Sequence, residues 1–255
     1  MEEVISKNLS KFSSNKSVFI EEIDIFENTL LSKPFSLRLW SSFFIILPIF
    51  FQAPWVRFYP LSALFFTFVI LITAILLINQ NSNKFFIIGS LLFGVSGSWL
   101  GGCLFWGWLS SHPVLHIPVE AVALPLALVG LGTKWQIGSS FYISSLFGTA
   151  VTDITICFTG IMDKWMEVVQ AAPDEAPLIL QRTSSELLHF KPFIIITVFG
   201  ILLWFLSKIL LNSASLNSPN GRSLLVASYV LQTTLIVDGI FILIAILQPS
   251  LSGLV

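Results

Sequence analysis

Long apolar stretches separated by short polar turns make up most of this chain from about residue 39 onward. Most of them approach or exceed the roughly 18 to 20 residues that a helix needs to cross the hydrocarbon core of a bilayer. The pattern predicts an all-α fold, a polytopic transmembrane helical bundle of six to seven spans. The predicted spans cover about residues 39–54, 61–79, 85–108, 118–132, 137–162, 193–211 and 223–247.

The fourth apolar stretch is the shortest and the least regular. It follows a break at Pro113 and Pro118, and it contains Pro125. Because proline lacks a backbone donor and interrupts a helix, we expect a short, kinked fourth span that either crosses the membrane or re-enters it.

Two further prolines are expected to end the first span. The segment QAPWVRFYP begins at Gln52, and its prolines Pro54 and Pro60 lie on either side of Trp55 and Arg57. Proline pairs of this kind mark turns, so the sequence predicts a tight turn between the first and second spans.

The polar segments define the predicted domains. Residues 1–37 are predicted to form a polar N-terminal extramembrane tail, residues 38–249 the transmembrane domain, and residues 250–255 the C-terminal end. Within the transmembrane domain, residues 163–191 are polar enough to form an extramembrane loop. Residues 177–190 of that loop could lie on the membrane surface as an amphipathic helix.

Composition agrees with a membrane protein and narrows the possible partners. The chain is 55% hydrophobic and 11% charged, against about 25% charged residues in an ordinary soluble domain. A net charge of −1 gives no basic surface for nucleic acid. The expected partners are membrane lipid and, as a further possibility, a subunit of a membrane complex or transporter. Both cysteines, Cys103 and Cys157, lie in apolar stretches, which does not suggest a disulfide framework.

The distribution of Lys and Arg over the loops predicts the orientation. With seven spans, the N-terminal tail shares one side of the membrane with Lys84, Lys134, Lys208 and Arg222, whereas the turn at 109–118 holds no Lys or Arg. Because short cytoplasmic loops are enriched in Lys and Arg, we predict a cytoplasmic N-terminus.

This orientation brings several polar residues to one level of the membrane. Asp153 and Asp238 fall in the outer halves of the fifth and seventh spans, and a threonine precedes each by four residues on the same helix face. Buried intramembrane charges are costly and usually face the bundle interior. The predicted substrate- or ion-binding candidates are Gln52, Arg57, His112, His116, Glu120, Thr149, Asp153, Thr234 and Asp238.

Other interpretations of these residues remain open. An aspartate paired with Arg57 could be a structural ion pair that fixes helix packing. His112, His116 and Glu120 have a spacing that would suit a metal on one helix, but Pro113 and Pro118 interrupt that helix, so we predict no metal site. The small-residue stripe Ser90, Gly94, Ser98 and Gly102 favours close packing between helices.

Five motifs of the predicted membrane domain are distinctive in combination. They are FFQAPWVRFYP, GCLFWGWL, HIPVEAVALPLALVGL, FYISSLFGTAVTDI and TTLIVDGIF. Together they resemble an integral-membrane family of unknown function that is found in cyanobacteria. The similarity covers about residues 39–247, and it implies a cyanobacterial thylakoid or plasma membrane. It implies no activity, so catalytic residues and cofactors remain unassigned.

Three functional hypotheses follow. The first is a small-molecule or ion transporter, or the membrane substrate-binding subunit of one, in which buried acids bind a cation or carry protons. The second is a membrane enzyme that acts on an isoprenoid, pigment or lipid through a buried carboxylic acid. The third is an assembly or auxiliary factor of a photosynthetic membrane complex, in which the buried charges are structural.

Overall fold

The computed structural model describes residues 33–80, 82–172, 174–214 and 218–251. Most of the predicted N-terminal tail and the last four residues of the chain lie outside the described residues. The described part is helical and contains no strand. Its α-helices are α1 (Lys33–Leu47), α2 (Ala53–Phe58), α3 (Pro60–Ile78), α4 (Asn83–Leu104), α5 (His116–Glu120), α6 (Leu124–Gly130), α7 (Gln136–Thr159), α8 (Trp165–Gln170), α9 (Ala176–Ser185), α10 (Phe190–Asn212) and α11 (Pro219–Leu247).

Seven helical segments of the described residues are long and apolar enough to cross a membrane, which confirms the predicted fold class. Many large apolar side chains on their outer surfaces are exposed, as expected for helices in contact with lipid. The segments are Ser36–Phe58, Pro60–Ile78, Asn83–Leu109, Pro113–Gly130, Gln136–Thr159, Phe190–Asn212 and Asn220–Leu247.

The first span is longer than predicted, because the expected turn around residues 52–58 is helical. After α1, the π-helical turn Pro48–Gln52 leads directly into α2. A π-helical turn can absorb the disruption that a proline causes inside a helix. The chain leaves helical geometry only at Tyr59, so the prediction of a tight turn holding Gln52, Trp55 and Arg57 was wrong.

The central helices cross closely through glycine. A Cβ atom on Gly94 of α4 would overlap the carbonyl oxygen of Gly138 on α7. A Cβ atom on Gly101 would lie 2.7 Å from the Cα atom of Glu120, which brings α5 against α4. The small-residue stripe therefore serves close helix packing, as the sequence predicts.

The fourth span is broken, in agreement with the predicted short and kinked segment. It consists of a 3-10 turn at Pro113–Leu115, α5, a second 3-10 turn at Ala121–Ala123, and α6. Tyr142 of α7 braces the break, because its hydroxyl donates to the Glu120 carbonyl at 2.5 Å and accepts from the Ala123 amide at 3.2 Å.

The predicted amphipathic segment forms α9, which packs against the bundle. Its Leu180 is buried in a cluster with Val168 and Ala245. Gln181 Nε2 also donates to the Ile246 carbonyl at the end of α11, at 2.7 Å. One face of this helix is therefore covered by protein.

Candidate functional site

A cavity of about 260 Å³ lies between α1, α4, α5, α7 and α11, and we call it the central cavity. Seven of the nine residues proposed from the sequence line it, although they come from distant parts of the chain. These are Gln52, His116, Glu120, Thr149, Asp153, Thr234 and Asp238.

His116 lies between two carboxylates. Its Nδ1 is 2.8 Å from Asp153 Oδ2, and its Nε2 is 3.2 Å from Glu120 Oε1. His116 and Glu120 share one face of α5 because they are four residues apart, whereas Asp153 comes from α7. The three side chains are largely buried, each about 16% exposed.

Two aromatic rings hold the imidazole in place. Phe105 stacks on the His116 ring with 4.1 Å between ring centroids, and Trp106 meets it edge-on at 6.4 Å. Two carboxylates and two aromatic rings therefore fix the position of the His116 ring.

This geometry couples the protonation of His116 to that of its two neighbours. An imidazolium donates from both ring nitrogens, whereas a neutral imidazole donates from only one. If both contacts are hydrogen bonds and the imidazole is neutral, one of the two carboxyl groups must carry a proton. We call His116, Glu120 and Asp153 the His116 trio. The trio can hold a proton at more than one atom, which is the chemistry of a proton relay.

Asp238 adds a third carboxylate to the same cavity. Its Oδ2 accepts a hydrogen bond of 2.6 Å from Thr152, the residue next to Asp153 on α7. Thr234, which lies four residues before Asp238 on α11, donates to the Val230 carbonyl of its own helix, and Thr149 of α7 likewise donates to the Ser145 carbonyl. The hydroxyl that fixes Asp238 thus comes from the neighbouring helix.

Gln52 joins the first span to α4 at the wall of the cavity. It is 4% exposed, and its Nε2 donates to the Trp99 carbonyl at 2.5 Å and contacts Cys103 Sγ at 3.1 Å. Gly102 makes room for it, since a Cβ atom there would lie 2.9 Å from the Gln52 amide. Both contacts of its amide nitrogen are to α4, so Gln52 holds the first span against α4 at the wall of the cavity.

Arg57 and His112 do not line the central cavity. Arg57 lies at the end of α2, and His112 precedes the first 3-10 turn of the fourth span; both are exposed. His112 Nδ1 is 3.0 Å from Ser111 Oγ. These two predicted site residues therefore lie outside the lining of the central cavity.

Sequence reasoning missed several residues of the cavity wall. Thr152 is one, although its position directly before Asp153 was a possible signal. The others are small hydroxyl residues and the aromatic side chains that surround the charged groups. They are Phe44, Ser98, Trp106, Phe141, Ser145 and Phe241.

Within the described residues, no group of three or more His, Cys, Asp or Glu side chains has an arrangement that could hold a metal ion. The groups that line the central cavity offer proton exchange at the His116 trio, attraction of positive charge by three carboxylates, and contact with aromatic faces.

Residues 41–246 match a family described as "Protein of unknown function (DUF3120)". The chain belongs to this family. The match covers the described bundle from α1 to α11 and includes the whole central cavity. No curated protein and no solved structure matches the chain. DUF3120 membership supports the expectation of an uncharacterised family, and it leaves the activity to be argued from the cavity.

Proposed function

We propose that this DUF3120 protein is a membrane transporter for small organic cations, with proton exchange at the His116 trio. One observation carries the proposal. Three carboxylates and one histidine, contributed by α5, α7 and α11, face a single cavity inside the bundle. Ionisable groups at such positions are typical of substrate and proton pathways in membrane proteins.

The charge of the cavity favours a positively charged solute. The central cavity is lined by three carboxyl groups and one histidine, so its acids can carry more negative charge than His116 can neutralise. A bound cation, or protons that leave when the cation enters, would balance it. Exchange between protons and an organic cation is the simplest cycle that satisfies this balance.

The walls favour an organic cation over a bare metal ion. Phe44, Trp106, Phe141 and Phe241 line the cavity together with the acids. Aromatic faces around an acidic site are suited to alkylammonium groups through cation–π contacts. The broken fourth span also supports transport, because transporters often place their binding sites at interrupted helices.

Under the orientation predicted from the Lys and Arg distribution, the His116 trio would lie in the outer half of the membrane. The cation would then reach the central cavity from the periplasmic or lumenal side. The exposed position of Arg57 gives it no part in this proposal.

The test is uptake of radiolabelled choline into proteoliposomes with a pH gradient, with a trapped pH-sensitive dye as a second readout. We expect the wild type to take up choline and to move protons in the opposite direction. Asp238→Asn should lower uptake by about tenfold or more, since a hydrogen bond or contact to a charged group contributes about 1.5–3 kcal/mol. In His116→Gln, choline uptake should no longer be coupled to the proton movement that the dye reports.

Glu186→Gln is the matched control, because Glu186 pairs with Lys164 outside the cavity. It should leave uptake and proton movement unchanged. Wild-type uptake in Asp238→Asn would overturn the proposal. So would loss of Asp153→Asn from the membrane together with recovery of normal abundance in Asp153→Asn/His116→Gln, because that pattern identifies a structural ion pair.

A further inference from the structure

A second, apolar cavity lies beside the central cavity. It has a volume of about 210 Å³ and lies between α7, α9, α10 and α11. Its walls are mainly aliphatic and aromatic, with Leu180, Phe199, Leu203 and Ile242 among them. An engineered apolar cavity of roughly 150 Å³ stays dry and binds benzene, so this cavity has room for a larger apolar group.

The two cavities meet at Asp238. Thr152, Ile156, Asp238 and Phe241 line both of them, and Asp238 is the only ionisable group among the described residues that line the apolar cavity. The 2.6 Å hydrogen bond from Thr152 holds the Asp238 carboxylate at this boundary. One carboxylate is therefore within reach of a ligand that occupies both cavities.

Two threonines of the apolar cavity, Thr155 and Thr159, have hydroxyl groups that bond to backbone rather than facing a ligand unpaired. The hydroxyl of Thr155 donates to the Val151 carbonyl and that of Thr159 to the Ile156 carbonyl, each at 2.7 Å. Their donors are thus already used within α7. A polar head group gains nothing by moving from the central cavity into this space, whereas a hydrocarbon chain does.

We propose that the organic cation bound by this protein is amphiphilic. Its cationic head lies in the central cavity, and its hydrocarbon tail passes Asp238 into the apolar cavity. This inference rests on the proposed function, because the head site is the central cavity. It adds the substrate class, a single-chain alkylammonium compound.

Two glycines offer a direct way to fill the tail site. Gly239 of α11 and Gly200 of α10 both line the apolar cavity. A Cβ atom on Gly239 would meet nothing within 4 Å, and one on Gly200 would only touch Leu235 at 3.5 Å. Gly239→Leu and Gly200→Leu should therefore occupy the cavity from two different helices. Ile236→Phe is the control, since Ile236 lies on α11 and is 58% exposed.

The experiment measures binding of radiolabelled octyltrimethylammonium and ethyltrimethylammonium to the full chain in lipid nanodiscs, with empty nanodiscs subtracted. Partition into lipid is the same for every variant, so differences between variants report on the protein. We expect Gly239→Leu and Gly200→Leu to weaken binding of the octyl compound by about tenfold, which corresponds to the loss of only one or two buried methylenes. Binding of the ethyl compound should stay within about twofold, and Ile236→Phe should bind both compounds like the wild type.

The outcomes separate the tail site from the head site. Unchanged binding of the octyl compound in both glycine variants would overturn the tail site and leave the transporter proposal standing. Binding of octanoate or 1-octanol as tight as that of octyltrimethylammonium would overturn the cationic head. Failure of the wild type to bind either ammonium compound would overturn the head site, and with it both proposals.

Discussion

Tyr142 connects the structural and chemical parts of the site at the scale of single residues. Its hydroxyl donates to the Glu120 carbonyl and accepts from the Ala123 amide, both at the break in the fourth span. Unpaired backbone groups are expensive inside a membrane protein, so a broken helix needs such a partner. The same hydroxyl fixes the backbone of Glu120, and thereby the carboxylate that faces His116.

Tyr142→Phe is therefore expected to destabilise the protein by about 1–3 kcal/mol, because it removes two hydrogen bonds that contribute about 0.5–1.5 kcal/mol each. It should also weaken choline uptake, because Glu120 loses its support. Thermal unfolding in nanodiscs, followed by tryptophan fluorescence, measures the first effect. Tyr59→Phe is the matched control, since Tyr59 is 69% exposed. Equal midpoints for Tyr142→Phe and the wild type would refute the bracing role.

At the scale of helices, α4 and α7 form the frame that positions the cavity. Their crossing at Gly94 and Gly138 leaves no space for a side chain. On α4, Gly101 leaves room for α5 to pack closely, and Gly102 leaves room for the Gln52 side chain. Because van der Waals packing rather than a hydrophobic driving force joins helices in a membrane, such close crossings matter for stability. The glycines thus determine how near Glu120 and Asp153 come to each other.

Gly94→Ala should separate α4 from α7, since the added Cβ overlaps backbone that cannot rotate away. We expect a loss of about 1–3 kcal/mol or more, typical of overpacking. Gly239→Ala is the control, because nothing lies within 4 Å of its Cβ position. That variant should be neutral or stabilising by up to about 1 kcal/mol through helix propensity. The unfolding midpoints of the two variants should therefore move in different directions, and a shared shift would contradict the crossing argument.

At the scale of the whole molecule, the sequence predicts the seven spans well because length and hydropathy decide membrane insertion. It also predicts four ionisable residues of the central cavity, since a charge exposed to hydrocarbon is costly; these are His116, Glu120, Asp153 and Asp238. It does not predict helix rotation or proline accommodation. For this reason the sequence pattern does not indicate the hydrogen bond between Thr152 and Asp238, and it predicts a turn at Pro54 where the chain is helical. The aromatic wall was missed because phenylalanine is equally suited to lipid contact and to a cavity.

The orientation of the whole molecule is testable with single cysteines in a variant whose Cys103 and Cys157 are alanine. Val114 is 82% exposed at the start of the fourth span. Lys84, in the first turn of α4, and Lys134, in the turn before α7, are exposed on the side that we predict to be cytoplasmic. An impermeant maleimide added to intact cells should label Val114→Cys, but Lys84→Cys and Lys134→Cys only after permeabilisation. This outcome follows from the enrichment of Lys and Arg in cytoplasmic loops. Labelling of both Val114→Cys and Lys134→Cys from outside would show that the fourth span re-enters the membrane. The fully inverted pattern would place the His116 trio near the cytoplasmic surface and reverse the proposed side of cation entry.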